Sequence, residues 1–270
     1  MVTIRTGVSA KAYAEPSVLS PSNLLREARR QRRLGDRPVP GVCLLDPDGD
    51  VVRYLAATGV AGRHRAWACY HSELWTTEVD GREIGIVPCA VGGPYAVLVA
   101  EQLAESGCDL VISVTSAGTI IPLGTPPYFM LIERAWRDDG TSNHYLPPAD
   151  WVHLDPTVAD LLVGAFDHLE EPVHRGASWT TDAPYRETRT AICSAAAVGV
   201  HAVEMEAAAL YAYAAACRRG VICVAHVTNA MAVDGDDFDK GDADGTHRIL
   251  ALVSAIADRL RPALMTGTEQ

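Results

Sequence analysis

Leu110-Val-Ile-Ser-Val-Thr-Ser-Ala-Gly118 is the stretch that decides the fold. Leu110 to Val114 is a nearly unbroken apolar, β-branched run, the pattern of a strand buried on both faces. The chain then passes straight into Thr115 to Gly118, residues too small to fill the space in front of the strand. Open α/β sheets hold their ligands at such a carboxyl end. Just upstream, Tyr95 to Ser106 reads as a helix, opened by a Gly92-Gly93-Pro94 corner and closed by Gly107.

Further from this centre the same alternation continues. Val42-Cys-Leu-Leu45 is another buried strand, stopped by Asp46-Pro-Asp-Gly-Asp50. Ala66 to Val79 is an aromatic strand that turns at Asp80-Gly81 into Glu83-Ile-Gly-Ile-Val87. Tyr128 to Ala135 and Val221 to Val227 are strands, Pro156 to Leu169 and Thr246 to Leu260 helices, and Ser178 to Arg189 a polar loop. The alternation of buried strands with helices and early hairpins predicts a mixed-sheet α/β sandwich. Ser22 to Leu34, with Arg26, Arg29, Arg30, Arg32 and Arg33, is a short basic helix in an N-terminal extension over 1–41, read as a solvated or subunit-interface face. A single domain spans 42–265.

The 270 residues suffice for one large core. A net charge of −11 argues against nucleic acid or an anionic membrane as partner. The seven cysteines include no Cys-x-x-Cys pair and sit mostly in apolar runs, which predicts buried thiols in a reducing compartment. The N-terminus lacks the apolar core of a signal peptide, and no apolar run reaches membrane-spanning length, so a cytoplasmic protein is expected. Neither a dinucleotide nor a P-loop glycine pattern occurs, and the acids of Asp234 to Gly245 miss EF-hand spacing, so that segment reads as a solvated loop and no metal or cofactor is expected.

Val203-Glu-Met-Glu-Ala-Ala-Ala-Leu-Tyr211 carries the chemistry. Read as the start of an apolar helix, it sets Glu204 and Glu206 roughly 200° apart around the axis, so at least one faces inward. A buried carboxylate needs donors. A cis-diol such as that of ribose offers two, and Met205 adds a soft apolar contact. The competing reading is an acidic helix start complementing the dipole.

Taken in order, these motifs resemble the nucleoside phosphorylase-I superfamily of uridine phosphorylases, hexameric purine nucleoside phosphorylases and nucleosidases. Gly92-Gly93-Pro94 resembles its glycine corner, Thr115 to Gly118 its small-residue loop, Thr181-Asp-Ala-Pro-Tyr185 its base-side loop and Val203 to Glu206 its ribose motif. Asp139-Gly-Thr-Ser-Asn-His-Tyr145 is similar to a uridine phosphorylase segment. The resemblance implies a three-layer α/β/α sandwich with a mixed central sheet and a homo-oligomer, a dimer or trimer of dimers. It also implies Glu204, Met205 and Glu206 on the ribose, Thr181, Asp182, Tyr185, Arg186 and Thr228 on the base side, and Gly92, Ser113, Thr115 and Ser116 around the nucleophile.

Two departures shape the expected chemistry. The family's phosphorylases carry a Gly-Asp-Pro-x-Arg motif after the first strand and an arginine before the small-residue loop. Here those sites read Leu45-Asp-Pro-Asp-Gly49 and Ser113, so both phosphate arginines are lost and Asp46, Asp48 and Asp50 crowd the corner. That favours an acid activating water over phosphate attack, unless Arg53, Arg63 or Arg65 reaches an anion, in which case phosphate is a co-substrate. The second departure is Thr228-Asn229 where purine-cleaving members have Ser-Asp; an amide is no general acid, and the asparagine tilts the base toward a pyrimidine. No early histidine is present for the 5′-hydroxyl, and His71 with Glu73 is a candidate pair on one strand face. Three classes follow: an enzyme cleaving an N-glycosidic bond, a riboside-binding protein without turnover, and a relative recruited to other chemistry.

Overall fold

A computed structural model describes residues 11–228, 240 and 242–266. Helix α1 (Pro21–Arg32) precedes β1 (Val42–Asp46), α2 (Asp50–Ala57), β2 (Gly62–Arg63), β3 (Trp75–Val79), β4 (Arg82–Pro88) and α3 (Gly93–Glu105). The middle of the chain forms β5 (Leu110–Ser116), β6 (Gly118–Thr119), β7 (Tyr128–Asp138), α4 (Ser142–Tyr145), β8 (Trp151–His153), α5 (Pro156–Leu161) and β9 (Val173–Thr181). It closes with α6 (Arg189–Ala197), β10 (Ala202–Glu204), α7 (Ala207–Cys217), β11 (Gly220–Val227) and α8 (Thr246–Thr266).

The strands form one mixed sheet in the order β2-β3-β4-β1-β5-β11-β7-β9-β10-β6, with β8 on β7. At its centre β4, β1, β5 and β11 run parallel. Their carboxyl ends therefore emerge together, bringing Asp46, Ser116 and Val227 to one edge. Leu44, Leu45, Ile112, Ile222 and Val224 on these strands are fully buried, the continuous apolar pattern that strands covered on both faces require. Helices α3, α4 and α7 pack together, as do α2, α5 and α8, forming the two outer layers of the expected sandwich. Close packing of α3 on α7 depends on Gly93, where an added Cβ would come within 2.8 Å of the Ala209 Cβ.

Several elements differ from the sequence reading. The acidic motif is not a helix start throughout: Glu204 ends β10, Glu206 is the N-cap residue and α7 begins at Ala207. Ser178 to Thr181 is strand rather than loop, its small hydroxyls buried because a carboxylate accepts them. The helix from Pro156 stops at Leu161, with Gly164 following at φ +69°. In the aromatic stretch only Trp75 to Val79 is strand, and Trp67 is buried with its indole N–H on Ser72. Of the cysteines, Cys43, Cys69, Cys108 and Cys223 are buried as expected, whereas Cys89, Cys193 and Cys217 are exposed.

The basic helix α1 is docked rather than solvated all round. Ser20 caps it, Leu25 and Ala28 are buried with Ala68, and Arg32 donates to the carbonyls of Ala68 and Cys69. No helix among the described residues is long and apolar enough to cross a membrane.

Candidate active site

A cavity of about 410 Å³ opens at the carboxyl ends of β5, β10 and β11. Met205, Glu206 and Thr115 form its middle, Asp48, Ser116 and Lys240 a polar corner, and Tyr185, Glu187 and Thr228 further wall.

The two glutamates divide the work. Glu204 is enclosed by four donors: Ser178 Oγ (2.9 Å), Thr180 Oγ1 (2.5 Å), and the backbone N–H groups of Glu206 and Ala207 (both 2.7 Å). It satisfies the orphan amides at the start of α7, which is the capping role, performed from the strand rather than from the helix. Glu206 is buried with fewer partners. It accepts from the Gly92 N–H at 2.7 Å and from the Met205 N–H at 3.3 Å. Burial, and then the negative charge of Glu204, push its carboxyl up to about 8. Gly92, at φ +84°, is thus the residue that ties the start of α3 to this carboxylate.

At the polar corner three donors converge on one oxygen. Asp48 Oδ2 accepts from Ser116 N (3.1 Å), Ser116 Oγ (2.8 Å) and Lys240 Nζ (2.8 Å), and Lys240 also reaches Asp50 at 2.5 Å. Burial works against the Lys240 charge, but Asp48 and Asp50 more than offset it and hold the ammonium above its ordinary range. For Asp50 the order of causes is the same: burial opposes ionisation, and Lys240 and Arg53 overcome it.

Asp46 and Asp50 do not line the cavity, so of the three candidate bases only Asp48 faces it. Asp46 is a loop-closing residue, accepting from Gly49 N and Val52 N, and burial raises its carboxyl to about 6. Ser113 is buried mid-strand between Leu45 and Cys223, away from the cavity wall, because the strand continues to Ser116 before the loop begins. On the base side Tyr185 and Thr228 line the cavity, whereas Thr181, Asp182 and Arg186 do not. Thr181 Oγ1 accepts from Ala183 N, and Asp182 accepts from Gly140 N at 2.8 Å, bracing two loops against each other. Asn229 and most of the acidic segment from Asp234 lie outside the described residues. Arg53 is paired with Asp50, and Arg63 with Glu73, so neither of these arginines offers a free cation within the chain. His71 and Glu73 are not part of the wall. Among the described residues no group of His, Cys, Asp or Glu is disposed to hold a metal.

Lys240 and Glu187 escaped the sequence reading. Each is a single charged residue in a polar stretch; the one signal for Lys240 was its isolation as a cation among acids.

Comparison with known proteins gives the family and the fold. The model of the phosphorylase superfamily matches residues 42–258, and the chain belongs to that family of glycosyl-cleaving enzymes. It is 26% identical over 211 residues to a guanosine phosphorylase of Halorubrum lacusprofundi, covering 72% of this chain and 88% of the relative. It is 29% identical over 238 residues to a uridine phosphorylase of Thermococcus kodakarensis, covering 75% and 84%. A solved uridine phosphorylase from Vibrio fischeri ES114 superposes with a TM-score of 0.68 at 17% identity, over 84% of this chain and 95% of that one, which establishes the shared fold.

Proposed function

We propose that the protein cleaves the N-glycosidic bond of a ribonucleoside with inorganic phosphate as the acceptor. The observation that carries this reading is the convergence of the Ser116 N–H, the Ser116 hydroxyl and the Lys240 ammonium on a single anionic oxygen at the cavity wall. The loss of both phosphate arginines favoured hydrolysis in the sequence; Lys240 restores a cation to that corner, and the similarity to enzymes named guanosine and uridine phosphorylases supports phosphorolysis further. In the proposed reaction Glu206 accepts hydrogen bonds from the ribose 2′- and 3′-hydroxyls while Met205 packs on the sugar. A sugar held in one orientation favours the oxocarbenium-like transition state of glycosidic cleavage. A phosphate oxygen replaces the Asp48 oxygen on the three donors, another oxygen of the same phosphate attacks C1′, and the C1′–N bond breaks with its electron pair leaving on the base.

Hydrolysis is kept as a second reading by one observation, that Asp48 itself fills the anion seat. A water beside that carboxylate would be the nucleophile, with Asp48 as its base.

Product analysis tests both. The purified protein is incubated with a nucleoside panel in phosphate-free buffer and with millimolar phosphate, and ribose and ribose 1-phosphate are assayed separately. Ribose 1-phosphate, with turnover rising with phosphate, is expected. Free ribose formed at equal rates in both buffers would overturn phosphorolysis in favour of the Asp48 route.

A further inference from the structure

We propose that His226 is a positioning residue: its buried ring, held by Glu171, seats the turn before α8 and so fixes where Lys240 presents its ammonium. The inference rests on the phosphate reading of the anion corner and deepens it by naming what holds that corner's cation in place.

The sequence carries the first sign. Val221-Ile-Cys-Val-Ala-His-Val227 is apolar except at one position, in a central strand whose other side chains fill the core. His226 is nonetheless buried, and Glu171 is buried beside it. Its Nε2 lies 2.7 Å from Glu171 Oε1, an ion-pair contact without the alignment of a hydrogen bond, and its Nδ1 has no hydrogen-bond partner among the described residues. An apolar pair of the same volume often serves stability as well as a buried ion pair does. What this pair adds is orientation. The imidazole stacks on the Phe129 ring with centroids 4.4 Å apart, and the second Glu171 oxygen lies 3.6 Å from Arg248 Nε in the first turn of α8. One carboxylate thus ties the end of β11 to the start of α8.

Between those two anchors lies the turn Asp242–Gly245, packed against α2 and α8. Ala243, Asp244 and Gly245 are all left-handed, at φ +56°, +51° and +71°. Two of them carry a Cβ, so the turn is strained and persists only where its surroundings hold it. The His226 ring supplies that support. A Cβ built on Gly245 would come 3.1 Å from His226 Cε1 and 3.5 Å from the Lys240 carbonyl oxygen, so ring, turn and lysine backbone meet at one point. From there the Lys240 side chain reaches Asp48 and Asp50. Its stem is long and flexible, so the backbone must be placed if the ammonium is to be. None of His226, Glu171 and Arg248 lines the cavity, and the pairing of His226 with Ser116 is made by backbone, which a change of side chain leaves in place. The effect of the ring on the anion therefore runs through Lys240.

Two variants test this from opposite sides. His226→Ala combined with Glu171→Gln takes the seat away and leaves no buried charge unpaired, while Gly245→Ala drives a methyl against the seat. Thermal melts verify that both are folded. In each, the KM for phosphate is expected to rise about tenfold or more, with kcat and the nucleoside KM within about threefold of the parent. A parental phosphate KM in both folded variants while ribose 1-phosphate is still formed, or an equal rise in the nucleoside KM, overturns the inference in favour of a merely structural pair. Acylation of Lys240 by acetic anhydride, read by peptide mass spectrometry, follows the lysine without any catalysis. An ammonium freed from two carboxylates gives up its proton more readily, so the rate is expected to rise about fivefold or more in both variants. An unchanged rate in both refutes the positioning. A raised rate in variants whose turnover, like the parent's, ignores phosphate leaves the positioning standing and removes the phosphate reading.

Discussion

At the scale of single residues the site turns on two carboxylates two positions apart that serve different ends. Glu204 has its lone pairs filled by four donors from the protein, so removing it strands two hydroxyls and two amides in the core. Glu204→Ala is expected to destabilise the fold by about 3 kcal/mol or more, read by urea denaturation. Glu206 lines the cavity, so Glu206→Gln is expected to leave the unfolding free energy near pH 5 within about 1 kcal/mol of the parent and to weaken riboside binding by about tenfold or more, read by calorimetry. Unchanged riboside affinity would return Glu206 to a purely structural part. Glu206 and Asp46 also set a pH dependence. Glu206 is raised from 4.5 to about 8 and Asp46 from 3.8 to about 6, so over these intervals the folded chain holds protons that the unfolded chain has released. Their contribution is therefore present at acid pH and is lost as pH rises through the folded values. Stability of the unliganded protein is expected to fall between about pH 5 and pH 8, and Glu206→Gln is expected to flatten the upper part of that slope. Midpoints that rise with pH across this range, in parent and variant alike, would remove both groups from the explanation.

At the scale of elements the nucleophile corner is a junction between distant pieces of chain. Lys240 lies 192 residues from Asp48 and 190 from Asp50, and its ammonium joins the turn after β1 and the first turn of α2 to the approach to α8. Lys240→Met keeps the stem and deletes the charge. It is expected to lower kcat/KM by about 100-fold or more, with the loss appearing chiefly as a raised KM for phosphate, because a charge-assisted donor to the anion is gone. A loss in kcat alone, at unchanged phosphate KM, would assign Lys240 to another step. The same junction explains what could be read from sequence. β1, β5 and β11 were legible because strands covered on both faces must be apolar throughout, and Leu110 to Val114 needs no partner to declare itself, while the polar Thr115 and Ser116 that complete β5 read as loop. The acidic motif was legible because Glu204 and Glu206 interrupt an apolar run. Their local structure was not: the string of alanines after Glu206 extends a helical pattern backward over Glu204, and only the pairing of β10 with β9, through Ser178 and Thr180, makes that residue part of a strand. Ser178 to Thr181 looked like a loop for the complementary reason, since their hydroxyls need a buried acceptor that lies more than twenty positions away in the chain. Lys240 and Glu187 were invisible because one charged residue among others in a polar stretch has no signature until the fold brings its surroundings to it.

At the scale of the whole molecule the open question for chemistry is what covers the cavity. Glycosidic cleavage through a cationic transition state benefits from exclusion of water, yet Tyr185 is 99% exposed and Val91 49% exposed where they line the cavity. The basic helix α1, read from the sequence as a solvated or subunit-interface face, uses Arg32 on neighbouring carbonyls, so not all of its basic face is left for a partner. The rim of the cavity stays exposed. We therefore propose that a second copy of the chain closes this cavity, and expect a particle of at least twice 28.9 kDa. Each chain carries a net charge of −11, so two copies repel at long range, and that repulsion is screened over about 8 Å at an ionic strength near 0.15 M. Association is accordingly expected to tighten as salt is raised from about 10 mM to about 150 mM, the opposite of an interface held by ion pairs. Light scattering across a dilution series at the two salt concentrations checks both the mass and the sign of the salt effect. A particle of 28.9 kDa at micromolar concentration under both conditions would sink the idea and leave the cavity of the single chain as the whole site.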